Sequence, residues 1–178
     1  PLIKHPRETI IKEIAIDNNQ NWKEKILAQL APYKKIAPNY WKVISLLKEI
    51  FKQDFTSITE VNFYTLKAIC EYLGIKTPIS IWSEMNVEIE EVNAPDEWAL
   101  NICKALKADT YYNPTGGMSF FDKAKYEKAG IDLKFMEMAP TVYRQFSTEF
   151  LPFLSIIDVI MFCDVDEINC LIDKYKLI

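Results

Sequence analysis

Residues 110–136 have the sequence TYYNPTGGMSFFDKAKYEKAGIDLKFM, and this stretch decides the predicted fold. Residues 110–112 predict a short aromatic strand. A helix is expected from about Ser119 to Gly130, because glycine suits the left-handed residue that ends many helices. A second strand, residues 131–136, follows directly. A strand, a helix and a strand in this order predict two parallel strands joined by a right-handed crossover.

The same kinds of signal extend outward from this stretch in both directions. Two further strands are expected, over residues 9–17 and 79–82. Helices are expected over residues 22–31, 39–51, 57–73 and 166–175, and two more begin at Pro95 and Ser155. The helix after residue 57 opens on a capping box formed by Ser57 and Glu60. Strands that alternate with helices predict an α/β fold with a largely parallel sheet and flanking helices, plus a helical cluster in the first half. A length of 178 residues predicts one domain, residues 1–178.

The composition is that of a globular protein, with 49% apolar residues, 26% charged residues and a formal net charge of −4. Acidic and basic residues are mixed along the chain, so no strong positive field is expected. Nucleic acid and anionic membrane surfaces are therefore not expected as partners. The longest apolar stretch, residues 150–163, is interrupted by Pro152 and Asp158. It is shorter than the roughly 20 residues that cross a bilayer.

The cysteines and the single histidine restrict the chemistry that this chain is expected to perform. The cysteines lie in apolar patterns without paired spacing, which indicates buried free thiols and a cytoplasmic location. No cleavable leader is expected at the start of the chain. Because His5 is the only histidine, a catalytic triad, a Cys-His nucleophile and a structural zinc site are all disfavoured. The residues indicate no particular cofactor.

The loop 113–117 is the strongest candidate for a ligand site. It runs from Asn113 through Thr115 to the adjacent Gly116 and Gly117, directly after the first predicted strand. Adjacent glycines permit positive φ and close backbone approach, so amide groups before the helix could bind a phosphate or carboxylate. The carboxyl end of a strand in an open parallel sheet is also where ligands usually bind. An ordinary turn with flexible glycines is the equally weighted alternative.

Five further side chains could carry chemistry, and each also has an ordinary structural explanation. Ser83 and Glu84 follow a predicted strand, where Glu84 could act as a general base or bind a sugar hydroxyl, or could be a solvated acid. Asp122 lies one helical turn beyond the glycines. It could be a catalytic acid, and the preferred explanation is that it caps the helix. Arg144 could clamp an anion or form a surface salt bridge. Asp158 is expected in the first turn of a helix, where apolar neighbours could bury it and shift its pKa.

Short stretches spread over nearly the whole chain have an order and a spacing typical of one family. They are IAIDN at 14–18 with QNW at 20–22, APNY at 37–40, LGIKT at 73–77 with SEM at 83–85, YNPTGG at 112–117 with FD at 121–122, Gly130-Ile131, Tyr143 with Gln145, and LSIIDV at 154–159. In these stretches the chain resembles the WbqC-like family. Members of that family often occur with genes for O-antigen and other surface-polysaccharide synthesis. The resemblance implies a sugar-modifying or acyl-transfer role in glycan assembly, and it assigns no catalytic residue.

Typical members of that family carry an additional N-terminal segment. It consists of a strand, a turn containing Pro and Gly-Tyr, and an Asp-Asp pair, which have no counterpart in residues 1–178. The chain is therefore expected to correspond to the central and C-terminal part of the family, and part of the ligand crevice is expected in the missing segment.

Two functional hypotheses follow. In the first, the chain is a transferase-type enzyme of surface-polysaccharide biosynthesis that binds a nucleotide-linked sugar or an acyl donor at loop 113–117. Arg144 would then neutralise the anion, and Glu84 or Asp122 would move a proton. In the second, it is a non-catalytic ligand-binding or assembly module. Its aromatic helices, residues 40–51 and 62–72, would then contact a partner or a second copy, giving a homo-oligomer.

Overall fold

A computed structural model describes residues 1–147 and 149–178. Their contacts divide the chain into two compact units. The first unit comprises Pro1–Met85 and Val142–Leu171, and the second comprises Asn86–Thr141 and Ile172–Ile178. Helices occur in both units and the three-stranded sheet lies in the second, which confirms the mixed α/β class. The single domain stays a prediction.

The described residues form seven α-helices and three strands. In chain order they are α1 (Trp22–Gln29), α2 (Tyr40–Phe51), α3 (Ile58–Tyr72), α4 (Glu97–Leu106), β1 (Thr110–Pro114), α5 (Lys123–Lys128), β2 (Asp132–Met138), α6 (Ile156–Phe162), α7 (Val165–Ile172) and β3 (Tyr175–Leu177). No helix among these residues combines the length and the apolar character needed to cross a membrane.

Helix packing builds the core of the first unit. Helix α2 buries Tyr40, Val43, Ile44, Leu47 and Ile50, which is the spacing of one face of an amphipathic helix. Helix α6 contributes side chains that are almost fully buried in the same core. The predicted helical cluster in the first half of the chain is therefore confirmed.

Local signals at both ends of α3 explain its boundaries. The Ser57 side chain accepts a hydrogen bond from the Glu60 amide, and the Glu60 side chain accepts one from the Ser57 amide, so the predicted capping box is present. Beyond the last turn, Gly74 has φ +73°, a conformation that costs glycine little. The sequence predicted both features correctly.

The second unit contains the sheet, in the order β1-β2-β3. Strands β1 and β2 are parallel, with Asn113 opposite Phe135, and α5 lies between them in sequence. This confirms the strand-helix-strand order and the parallel pairing predicted from residues 110–136, while the right-handed sense of the crossover stays a prediction. Strand β3 pairs with β2 in the antiparallel direction. A second apolar core, around Tyr126, Leu133 and Phe135, supports the sheet.

The prediction of a largely parallel sheet is not confirmed, because the sheet has one parallel and one antiparallel pair. The strand predicted at residues 79–82 is wrong, since 79–81 are irregular and Trp82–Glu84 form a 3-10 helix. Ile81 is extended there, but a strand also needs a hydrogen-bonded neighbour, which local sequence does not specify. Pro78 removes one backbone donor from the same segment.

The strand predicted over residues 9–17 is also wrong, and two helix boundaries need correction. Residues 9–17 contain a 3-10 helix, Ile11–Glu13, and only isolated bridges that involve Ala15 and Ile16. The helix expected from Ser119 begins at Lys123, after a 3-10 helix at Thr115–Phe120. The last helix ends at Ile172, because the following residues turn back to pair with β2 as β3.

Candidate functional site

The predicted ligand loop lies at the carboxyl end of β1, and its conformation is well defined. Thr115 through Phe120 form a 3-10 helix. The Tyr111 hydroxyl donates to Oδ1 of Asn113 (3.2 Å), and Nδ2 of Asn113 donates to the Pro114 carbonyl (2.8 Å). The Asn113 side chain therefore ties the end of the strand to the start of the helical turn.

The two glycines of this loop have different structural roles. A Cβ on Gly117 would lie 2.5 Å from Nδ2 of Asn113 and 3.2 Å from Cε2 of Phe121, whereas a Cβ on Gly116 would meet nothing within 4 Å. Neither glycine has positive φ, a conformation that Gly74 and Gly130 adopt in this chain. The expected positive φ is therefore wrong for this pair. Gly117 is packed against the Asn113 and Phe121 side chains, whereas Gly116 is exposed. The expected close approach of this backbone to a ligand stays a prediction.

Aromatic rings pack beneath the loop. Phe121 contacts Phe135 with ring centroids 5.7 Å apart, and it also packs against Tyr111 and Tyr126. Nζ of Lys123 lies 5.9 Å from the centre of the Phe135 ring. Phe135 is the β2 residue opposite Asn113. Lys123 therefore supplies a positive charge in the unit that contains the loop. Sequence reasoning missed it because only the folded sheet relates it to Phe135.

Asp122 is the N-cap of α5, which confirms the structural role that the sequence predicts for it. Its Oδ1 accepts a hydrogen bond from the Ala124 amide (3.0 Å), and its own amide donates to Oδ2 of Asp96 (3.3 Å). The carboxylate of Asp122 is exposed, so it remains accessible to a ligand while it caps the helix.

Asp96 is the centre of an ionic cluster that the sequence did not reveal. It is 3% exposed, and Nζ of Lys125 lies 3.2 Å from its carboxylate and 2.8 Å from that of Glu97. These contacts raise the pKa of Lys125, chiefly through its hydrogen bond to Glu97, and the same bond lowers the pKa of Glu97. The cluster fixes the start of α5 on the start of α4, and so positions Asp122.

The other predicted site residues lie in the first unit. Ser83 and Glu84 belong to the 3-10 helix Trp82–Glu84, and Arg144 is exposed in an irregular segment. Asn113, Thr115, Gly116, Gly117 and Asp122 form one continuous stretch of the second unit. The convergence of all these residues on one pocket stays a prediction.

A second group of polar residues lies around the buried Asp158 in the first unit, with two partly buried tyrosines as its partners. The Tyr33 hydroxyl donates to Oδ2 of Asp158 (2.6 Å), and the Tyr143 hydroxyl donates to Oδ1 (2.7 Å). Asp158 is 5% exposed, which confirms the expected burial. Hydrogen bonds of this length to a carboxylate are charge-assisted and strong. The sequence singles out Tyr143 and Asp158, whereas no local signal links them to Tyr33.

This environment changes the acidity of both tyrosines. Burial, assisted by the hydrogen bond to Asp158 and by its negative charge, raises the pKa of Tyr33 to about 12. The same causes, burial first, raise the pKa of Tyr143. Both phenols therefore remain protonated donors at neutral pH.

Asp158 also lines a cavity of 240 Å³ in the first unit, whose walls are mostly apolar and include Phe146, Leu151 and Leu154. The side chain of Gln145 lies there too, but its amide is engaged with the backbone of Leu151 in both directions, at 2.7 and 2.8 Å. The Asp158 carboxylate, the Tyr33 hydroxyl and the Ser147 hydroxyl are thus the polar groups available to a ligand, and the Asp158 carboxylate is the charged one among them. Within the described part of the chain, no group of three or more His, Cys, Asp or Glu residues is arranged to hold a metal ion.

These features define the class: a mixed α/β protein with a glycine loop at the end of a parallel strand pair and a buried carboxylate held by two tyrosines. The chain belongs to the WbqC-like protein family, whose model matches residues 1–170. It is similar to the uncharacterized protein Rv1507c of Mycobacterium tuberculosis (strain ATCC 25618 / H37Rv), with 24% identity over 153 residues. That match covers 84% of this chain, and the chain spans 64% of the length of the relative. No solved structure matches.

Proposed function

We propose that this protein acts in surface-polysaccharide biosynthesis by binding an anionic donor, a nucleotide-linked sugar or an acyl donor, at loop 113–117. Membership of the WbqC-like family supports the association with glycan assembly. The observation that carries the location is the exposed Gly116 at the carboxyl end of the parallel pair β1 and β2. Ligands of open α/β sheets usually bind at such an edge.

The surroundings of the loop suit an anion. The first amides of a helical turn have no acceptor within that turn, so the amide of the exposed Gly116 is available to a phosphate or carboxylate oxygen. Lys123 supplies a positive charge in the same unit, near the Phe135 ring.

A transferase also needs a group that moves a proton from the acceptor. Asp122 is the first candidate, because its carboxylate is exposed and its position is fixed by the cap on α5. The proposed reaction is a transfer of a sugar or acyl group to a hydroxyl or amino group of a glycan precursor.

The glycine pair offers a matched test of this proposal. Gly116→Ala adds a methyl group in open space, so we expect its unfolding free energy to stay within about 0.5 kcal/mol of the parent. If the donor must lie close to the backbone at Gly116, the same variant should lose at least about tenfold in affinity for the donor. Gly117→Ala moves the Asn113 side chain and should cost about 1 kcal/mol of stability. Urea unfolding and titration calorimetry measure both effects.

The ligand set for the calorimetry is a panel of nucleotide-linked sugars, nucleotides and acyl thioesters, applied first to the parent chain and to a longer form that includes any preceding segment. Binding of a panel member that Gly116→Ala weakens, with stability intact, supports the proposal. Equal binding by parent and variant, or no binding of any panel member to either form, contradicts it.

A non-catalytic assembly module is the second candidate, and exposed apolar side chains on α2 and α3 favour it. Trp41 is 63% exposed, and Tyr64 and Leu66 are about half exposed. Such a surface is typical of contact with a partner or a second copy. Sedimentation of the parent and of Trp41→Ala distinguishes this function, because the variant should lower self-association while leaving donor binding unchanged.

A further inference from the structure

The cavity beside Asp158 has a negative charge that no cation among the described residues pairs with. The carboxylate is almost fully buried, and the ion pairs of the described chain involve other acids. Its two protein partners are the neutral hydroxyls of Tyr33 and Tyr143. Buried charges in proteins are normally paired with an opposite charge, because the loss of water is otherwise costly.

The remaining walls of the cavity determine what else a ligand must offer. Phe146, Leu151 and Leu154 present apolar surface, and the Gln145 amide is already engaged by the Leu151 backbone. Ser147 adds one neutral hydroxyl, which accepts a hydrogen bond from the Glu149 amide. A ligand rich in hydroxyl groups would lose hydrogen bonds to water against these walls. A compact apolar body with one polar end fits them better.

We infer that this cavity is a second ligand site, which binds a small amine: a compact apolar group is held by Phe146, Leu151 and Leu154, and a single ammonium pairs with the carboxylate of Asp158. The Tyr33 and Tyr143 hydroxyls hold that carboxylate in place. This site lies in the first unit and is independent of the donor loop proposed in the second.

The size of the cavity limits the ligand. Its volume is 240 Å³, below the roughly 300–1,000 Å³ typical of pockets for larger ligands. One six-membered ring with a single amino substituent is of suitable size. The matched probes are therefore cyclohexylamine, which carries the ammonium, and cyclohexanol, which has the same ring without the charge.

The experiment is a protein-observed NMR titration of the full chain with each probe. We expect cyclohexylamine to bind at least about tenfold more tightly than cyclohexanol, because a charged hydrogen bond in an apolar site is worth more than a neutral one. Shifts should centre on Asp158, Tyr33 and Leu154. No binding of the amine to the parent, or equal affinity for the two probes, overturns the inference.

Two variants and one control separate a ligand site from a purely structural clamp. Asp158→Asn should lower the affinity for the amine to that for the alcohol. Asp166→Asn removes the same charge from an exposed position in the first turn of α7 and should leave both affinities unchanged. If Asp158→Asn and Asp166→Asn bind the amine equally well, the carboxylate is structural only and the inference fails.

A change at a buried acid can prevent folding, so a second variant leaves Asp158 untouched. Leu154 is 40% exposed on the cavity wall, and Leu154→Trp should fill the cavity with little effect on thermal stability. This variant should lose binding of both probes. Retained amine binding in a folded Leu154→Trp protein places the amine elsewhere and refutes the assignment.

Discussion

At the scale of single residues, Asp158 shows how one side chain joins distant parts of the chain. It holds Tyr143, 15 residues before it, and Tyr33, 125 residues before it. The sequence marked Asp158 as an acid at a helix start with apolar neighbours, and its burial confirms that expectation. The tyrosine partners follow from the tertiary packing of the first unit alone.

The pKa of Tyr33 should respond to its neighbour. We expect Asp158→Asn to lower it from about 12 toward the ordinary value of about 10, because the negative charge is lost. It should remain above 10, since burial is the largest cause of the shift. NMR titration of tyrosine labelled at Cζ measures it, with Tyr33→Phe to assign the signal. An unchanged pKa in Asp158→Asn would show that the carboxylate has no influence.

The same shift makes stability depend on pH in a defined direction. Because the folded state raises the pKa of Tyr33, folding favours the protonated phenol. The resulting stabilisation is complete below pH 10 and is lost as the pH rises through about 12. Removing Tyr33 should therefore flatten the alkaline part of the stability curve.

At the scale of elements, local signals predicted helices better than strands. The capping box of α3, the glycine after it and the Ser155 cap of α6 are all present, because each involves groups within a few residues of one another. The prediction of a strand at residues 79–82 is wrong, because an alternating pattern of apolar residues predicts an extended segment but does not provide a neighbouring strand to pair with it. The glycines of loop 113–117 follow β1 as predicted, although β1 itself extends to Pro114 and neither glycine has positive φ.

The first turn of α3 offers a matched pair of substitutions with opposite expected effects. Ser57→Ala removes the capping acceptor and should destabilise the protein by about 1 kcal/mol. Thr59 lies in the same turn, and its Oγ1 is buried with no hydrogen-bond partner within the described residues. Thr59→Val removes that unsatisfied group and should stabilise by roughly 0.5–1 kcal/mol.

Chemical denaturation of the two variants and the parent measures both effects under one set of conditions. A stabilising Ser57→Ala would mean that the cap contributes nothing. A Thr59→Val protein less stable than the parent would mean that the hydroxyl is satisfied in solution, for example by water.

At the scale of the whole molecule, the chain passes between its two units at three points, after Met85, after Thr141 and after Leu171. The second unit thus takes its last strand from the end of the chain, although the first unit intervenes in sequence. Strand β3 lies beyond the residues that the family model matches, yet it supplies the antiparallel edge of the sheet. Its contribution can be tested by deletion.

Deleting residues 174–178 should weaken the second unit selectively. The deletion removes hydrogen bonds between Phe135 and Ile178 in both directions, and one from the Ala139 amide to Lys174. We expect hydrogen exchange at Phe135 and Ala139 to accelerate by at least about tenfold, since β2 becomes an open edge. Amides in the middle of α2, such as Val43, provide the internal control and should be unaffected. Equal acceleration at both places would show that the effect is not selective.

The sequence by itself determined the features that depend on near neighbours: the helix caps, the glycine ends, the β1-α5-β2 crossover and the resemblance to the WbqC-like family. Tertiary structure alone decided the antiparallel β3, the ionic cluster at Asp96, the position of Lys123 beside Phe135 and the clamp of Tyr33 and Tyr143 on Asp158. The physical reason is the range of the interactions. A cap or a turn satisfies backbone groups within a few residues, whereas strand partners and buried hydrogen bonds join residues that local sequence cannot pair.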